Sequence, residues 1–309
     1  MRRIPRLIYG AVDVPLPEII RIVFGNTDAE HYPIIWNIRL PRTIVAALAG
    51  IGLSLSGALL QGIMRNPMAD PHIIGVSSGA GLLGIMMIIV FPSFAHLLVP
   101  VAFLGAMASA LLIYLLAWDQ GVSPMRIILS GVAVSALLNS GISGLFTFYS
   151  NRVEGAVSYM VGSLAAKSWS HVDTLLPYTV IGALLSFWGA QRMNVLMLGE
   201  AESLSLGLHV ERYRFFFISV GALLAASSVS VVGLLSFIGL IVPHAARLLV
   251  GNDYRILLPC TALLGVFVLT LCDTLARIAF SPVELPVGIV TGVIGAPFFL
   301  YLLRRKSRL

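Results

Sequence analysis

Two stretches of this 309-residue chain have residue types and spacings that could do chemistry. Gly75-Val76-Ser77-Ser78-Gly79 fits G-x-S-x-G, the turn that presents a serine nucleophile, and would make the protein an intramembrane serine hydrolase. That chemistry needs a strand before the serine and a histidine base beside it, whereas Ser77 opens an apolar helix with no histidine placed near it. The run from Gly162 to Ser168 ends like a phosphate loop, but Ala166 stands where a glycine must precede Lys167. Without that glycine the backbone N–H groups cannot wrap a phosphate, so the chain is not itself an ATPase. His31, His72, His96, His171, His209 and His244 are isolated, with no metal-ligand spacing, and no bound metal or cofactor is expected. Cys260 and Cys272 fall on one predicted helix about 18 Å apart, which excludes a disulfide between them.

The elements that must position these residues are membrane helices. Hydrophobic residues make up 58% of the chain and charged residues 11%, against roughly 25% charged in soluble domains. The length leaves room for roughly nine or ten spans and no sizeable soluble domain, so any energy source must be a separate protein. The net charge of +6 comes from basic residues scattered between apolar runs, which argues against nucleic acid as a partner. Only Arg304, Arg305, Lys306 and Arg308 cluster, as a cytoplasmic anchor. Residues 1–41 hold no apolar run long enough for a span or a signal peptide and read as an extracytoplasmic or interfacial segment ahead of a transmembrane domain at 42–309. Spans are predicted at 43–63, 72–91, 95–117, 124–148, 171–190, 213–234, 236–250, 256–280 and 286–303, with a short re-entrant helix near 153–165. With residues 1–41 left out of the count, Arg65, Arg126, Arg192, Arg212, Arg214, Arg247, Arg255 and the tail then lie inside, against Arg42, Arg152, Lys167 and Arg277 outside, which supports this orientation.

Polar residues within this frame mark the candidate working parts. Ala46, Gly50, Ser54, Ala58 and Gly62 recur every fourth residue on the first span, a ladder that lets another helix approach closely. Gly131, Ser135, Asn139 and Ser143 form one stripe, which either packs or lines a water-filled path. Asp273 and Arg277 are spaced to pair on one helix. An ion-gradient-driven transporter or channel would need a free acid near mid-bilayer, and Asp273 is the only deep candidate. Asn66-Pro67-Met68-Ala69-Asp70-Pro71 forces a turn at the inner surface. The longest charged interruption, 198–214, must face water or another protein.

Several motifs occur together in one order: Arg39-Leu-Pro-Arg42-Thr, the Asn66–Pro71 and Gly75–Ala80 runs, Gly199-Glu200 with Leu206-Gly207, Phe237 to His244, Asp273 to Arg277, and Glu284-Leu-Pro-Val-Gly288 through Gly295-Ala-Pro297-Phe. From about residue 10 to its end the chain resembles the FecCD-type permeases, the membrane subunits of type II ABC importers for iron-siderophores, haem and vitamin B12. The resemblance implies an all-α polytopic fold in a bacterial or archaeal cytoplasmic membrane. The implied partners are a second permease copy, two cytoplasmic ATPases that hold the ATP and Mg, and an extracytoplasmic substrate-binding protein. It implies an ATPase-coupling loop at 199–210 using Gly199, Glu200, Ser203, Leu206 and Gly207, packed as short helices into a groove on the ATPase. Binding-protein docking falls to Arg39, Arg42 and Arg277, where complementary charge would favour encounter. The inner gate maps to Asn66 and Met68 with Ser123, Pro124 and Met125, and the re-entrant helix to Val153–Leu164. The family usually begins with a further helix before the segment matching Gly10 to Asp13, so about nine spans rather than ten are expected here.

Overall fold

The computed structural model describes residues 14–23, 29–119, 123–280 and 283–306. Gly10 to Asp13 and Arg308 of the stretches singled out above lie outside the described residues. All regular structure among the described residues is helical: α1 (Leu16–Val23), α2 (Tyr32–Ile34), α3 (Leu40–Ile63), α4 (Val76–Ile89), α5 (Leu98–Ala117), α6 (Pro124–Phe148), α7 (Val153–Val161), α8 (Trp169–Leu198), α9 (Glu200–Ser205), α10 (Val210–Val232), α11 (Ile238–Val250), α12 (Tyr254–Ile278) and α13 (Val287–Lys306). Among the described residues six helices are long and apolar enough to cross a membrane, and α4, α11 and α13 add three shorter apolar ones. Together they are the nine expected. At 1.5 Å per residue the 14 residues of α4 reach only about 21 Å, short of the hydrocarbon core. The 3-10 turn Pro71–Ile74 ahead of it makes up part of the difference.

The first span begins earlier than hydropathy indicates. A π-helical turn, Ile35–Arg39, joins α2 to α3 into one rod from Tyr32 to Ile63. Pro41 has no N–H to give a regular turn, and the wider turn just before it absorbs that irregularity. Helix α8 likewise overruns its expected end by eight residues, because polar Arg192 donates to the Tyr213 hydroxyl (3.2 Å) and Asn194 to Asp253 (2.7 Å).

Helix α3 is the hub. It packs against α8, α10, α11 and α12, and its small-residue ladder is buried throughout. A Cβ added at Gly50 would lie 2.3 Å from the Gly265 carbonyl oxygen, and one at Gly57 would lie 1.8 Å from that of Gly239. These backbones therefore touch directly, and the ladder is a packing seam. The polar groups of α3 are satisfied by neighbouring backbones: Ser54 Oγ donates to the Thr261 carbonyl (3.2 Å), Ser56 Oγ to Gly221 (2.7 Å), and Gln61 Nε2 to Gly239 (3.3 Å) and Leu240 (3.2 Å).

The packing repeats itself in two halves of opposite direction. Helices α3–α6 correspond to α10–α13: α4 pairs with α5 as α11 does with α12, and α3 lies on α12 as α10 lies on α5. The two short helices even open alike, on left-handed residues Gly75 (φ 69°) and Phe237 (φ 70°). Helix α8, against α3, α10 and α12, has no counterpart among the described helices. Its image position, beside α10 and α5, is a groove lined by Met107, Leu111, Tyr114 and Phe215, and a separate cavity of about 600 Å³ that shares Leu104 with it lies beside His96 and His171.

Candidate functional site

Three surfaces carry the residues singled out from sequence. The first is the inner loop. One short helix, α9, stands where short helices are expected, and it hangs on two glycines. Gly199 has φ 144°, and a Cβ there would meet the Glu202 carboxylate at 1.9 Å. Gly207 (φ 78°) is needed for its backbone alone, since nothing lies within 4 Å of a Cβ there. Ser203 faces inward: fully buried, it donates to the Val195 carbonyl at 2.9 Å and also to that of Gly199, tying α9 to the last turn of α8. Glu200 lies 3.5 Å from Arg214. Besides the exposed Glu200 and Glu202, α9 and the residue that ends it show two leucines to solvent, Leu204 58% and Leu206 63% exposed. Leu204 was missed in the sequence, although an apolar residue amid charges is the available signal.

Beneath α9 the inner ends of four helices are locked together. Asn194 donates to Asp253 (2.7 Å) and accepts from the Tyr254 N–H (2.9 Å), while the Tyr254 hydroxyl reaches the Ala58 carbonyl (3.3 Å). Arg247 donates to Gln61 and to the Tyr254 hydroxyl, and Arg65 donates to the Leu196 carbonyl (3.0 Å). Hydrogen bonds from Arg255 and then Asn194 hold the Asp253 carboxyl well below the usual carboxylate range. Helix α9 therefore projects from a platform built by α3, α8, α11 and α12.

The second surface is an ion cluster at the outer end. Arg42, on the first turn of α3, is only 8% exposed and turns into the protein. Its Nε and Nη2 donate to Asp273 at 2.9 to 3.1 Å, and its Nη1 to Glu284 at 2.7 Å. Arg277 lies 3.4 Å from the same aspartate, the pair its spacing predicts. Asp273 is thus committed to two arginines and is not the free acid that ion coupling would require. Arg39 is half-buried one turn before Arg42. In the loop between α7 and α8, burial pushes the Lys167 amine down to about 8.

The third surface is the face of α6. Its inner side packs on α4 and α5, and only 22% of its most apolar stretch is buried. Along the predicted stripe Gly131 is buried, Ser135 half-buried, and Asn139 and Ser143 exposed. The hydroxyls of Ser140, Ser143 and Thr147 donate to carbonyls one turn back, leaving Asn139 as the exposed amide. In the loops at its inner end, Asn66 accepts from the Met68 N–H (3.0 Å), and Ser123 caps α6 by accepting from the Arg126 N–H (3.3 Å). Pro124 begins the helix, and Met125 behind it is 64% exposed. Ser77, by contrast, is 3% exposed in the first turn of α4, with its hydroxyl unpartnered and no strand before it. It has neither the elbow nor the base of a hydrolase.

Comparison with known proteins gives one answer throughout. The model of the FecCD transport family matches residues 4–305. The cobalamin import system permease BtuC of Halobacterium salinarum is 44% identical over 294 residues, covering 94% of this chain and 76% of the relative. The Fe(3+)-citrate import system permease YfmE of Bacillus subtilis is 40% identical over 300 residues, covering 97% and 90%. Among solved structures, an inward-facing ABC transporter described as metal-chelate type superposes with a TM-score of 0.84 at 32% identity, covering 93% of this chain and 95% of the other.

Proposed function

Since the chain belongs to the FecCD transport family, we propose that it is the membrane permease of an ATP-driven importer whose cargo is a metal chelate, with a ferric siderophore as first choice. It is a multi-pass protein of the cytoplasmic membrane and not an enzyme, ATP hydrolysis belonging to its partner ATPase. Two copies of the permease, set in lipid, would enclose the path between them, with α6 and its Asn139 and Ser143 on the lining. Met68 and Met125, positioned by the Asn66 and Ser123 caps and Pro124, would form the apolar inner gate. Arg39, Arg42 and Arg277 would serve the binding protein at the outer end, haem and cobalamin being the other chelates to test.

The observation that carries this reading is α9: a six-residue helix with Leu204 exposed on it and Leu206 exposed at its end, standing on a hydrogen-bonded platform at the cytoplasmic end. Exposed Leu204 and Leu206 suit a groove on an ATPase, and Gly199, Ser203 and Gly207 hold them there while Glu200 faces the rim. Closure of the ATPases would press on α9 and tilt the platform, opening and closing the path in turn. In proteoliposomes with the ATPase and the binding protein, Leu206→Asp is expected to abolish stimulated ATP hydrolysis while the permease still inserts. Wild-type stimulation by that variant would rule out α9 as the coupling element.

A further inference from the structure

The outer ion cluster contains more than the docking arginines. Arg42, Arg277, Asp273 and Glu284 carry formal charges that sum to zero, but the two acids are not equivalent. The Asp273 side chain is 3% exposed and holds Arg42 through two donors, so it is a fixed counter-ion. The Glu284 side chain is 47% exposed and takes only the outward donor of Arg42, Nη1, at 2.7 Å. Arg277 Nε is buried 3.4 Å from Asp273 Oδ2, an ion pair without hydrogen-bond geometry, so Asp273 serves both arginines while Glu284 serves Arg42.

The segment that carries Glu284 is also tied to α12 and to the end of α7. The Leu285 N–H donates to the Ala276 carbonyl of α12 at 3.1 Å, and the Gly288 N–H to the Gly162 carbonyl at the end of α7 at 3.2 Å. Gly288 sits so close that a Cβ there would lie 1.6 Å from the Val161 carbonyl oxygen. Residues 284–288 therefore form a strap that joins the cluster to both the re-entrant helix α7 and the start of α13.

We propose that Glu284 is an internal stand-in for a carboxylate of the extracytoplasmic binding protein: in the undocked permease it occupies Arg42 Nη1, and on docking the partner's acid takes its place and frees the strap. The proposal rests on the docking role given above to Arg39, Arg42 and Arg277. Exchange of one carboxylate for another leaves the charge of the cluster unchanged, so the desolvated guanidinium is never left without an acid. It also explains why a docking arginine is buried: Asp273 holds it in place, and Glu284 keeps its open donor occupied until the partner arrives.

The test is the affinity of the purified substrate-binding protein for the full-length permease–ATPase complex in nanodiscs. Glu284→Gln removes the competing acid and leaves the cluster at +1, and docking is expected to tighten by about fivefold or more at low salt. Glu284→Asp, whose shorter carboxylate reaches Arg42 less well, is expected to fall between that variant and the wild type. An acid that merely braces the fold would give the reverse, with docking unchanged or weaker in Glu284→Gln, and that result overturns the proposal even where Arg39→Ala and Arg277→Ala weaken docking. If those two arginine variants bind normally, the docking role itself has failed, and the proposal falls with it.

Discussion

At the scale of single residues, the outer surface holds the charges whose states matter. Lys167 lies in a loop with its amine brought down to about 8 by burial, against about 10.4 in an exposed lysine. The sign follows from the protonated form being the one penalised. Below pH 8 the amine is charged in both the folded and the unfolded chain, and the fold bears the full cost of burying it. As pH rises from 8 toward 10.4 the folded chain gives up its proton first, and that cost is relieved. Amine-directed labelling read by mass spectrometry should therefore give Lys167 a midpoint near pH 8, whereas a midpoint near 10 would show an ordinary solvated amine. Little of this was legible in the sequence. The i,i+4 spacing of Asp273 and Arg277 announces their pair, but Arg42 meets Asp273 across 231 residues of chain and Glu284 across 242, separations that carry no local signal. The same holds for Ser203, whose type suits a solvated loop and whose side chain is an internal anchor.

Individual elements were easier to foresee where periodicity governs them. The four-residue ladder on α3 identifies its close-packed seam, because glycine and alanine at that spacing leave a groove that only another backbone fills. Replacing Gly57 by Ala places a methyl inside the van der Waals radius of a carbonyl oxygen that cannot swing away. A loss of about 1–3 kcal/mol follows, read as a lower unfolding midpoint in detergent. Gly144→Ala on α6, with nothing within 4 Å of the added Cβ, should be neutral or slightly stabilising. Equal midpoints for the two variants would mean that α3 does not pack as described. Element ends were less legible for a physical reason: a helix such as α8 stops where its tertiary hydrogen bonds stop. Asn194, which hydropathy places in a loop, is the residue that pins α8 to α12. Nor does a phenylalanine suggest a left-handed turn, yet Phe237 adopts one in the place where the other half of the molecule uses Gly75.

For the molecule as a whole, burial is uneven in a way that suits a paired assembly. About 78% of the most apolar stretch of the Tyr32–Ile63 rod is buried against 22% for α6, so α6 carries a face that this single chain leaves open. A polar stripe on such a face predicts water rather than lipid beside it. In the assembled transporter, Asn139→Cys should react with a membrane-impermeant maleimide and change its rate when ATP is bound, whereas Leu263→Cys on α12 should stay unreactive. Equal protection of both positions would place α6 against lipid and the path elsewhere. The buried hub has a different consequence, which concerns how the chain is made. Ser56, Gln61 and Ser54 of α3 find their acceptors 165, 178 and 207 residues later in the sequence. At about 5–20 residues per second of synthesis, α3 must wait roughly 10–40 s in the bilayer before those acceptors have been translated. During that interval its side-chain amide and hydroxyls lack those acceptors, so one of the two most protected helices of the finished protein is an exposed one in the nascent chain.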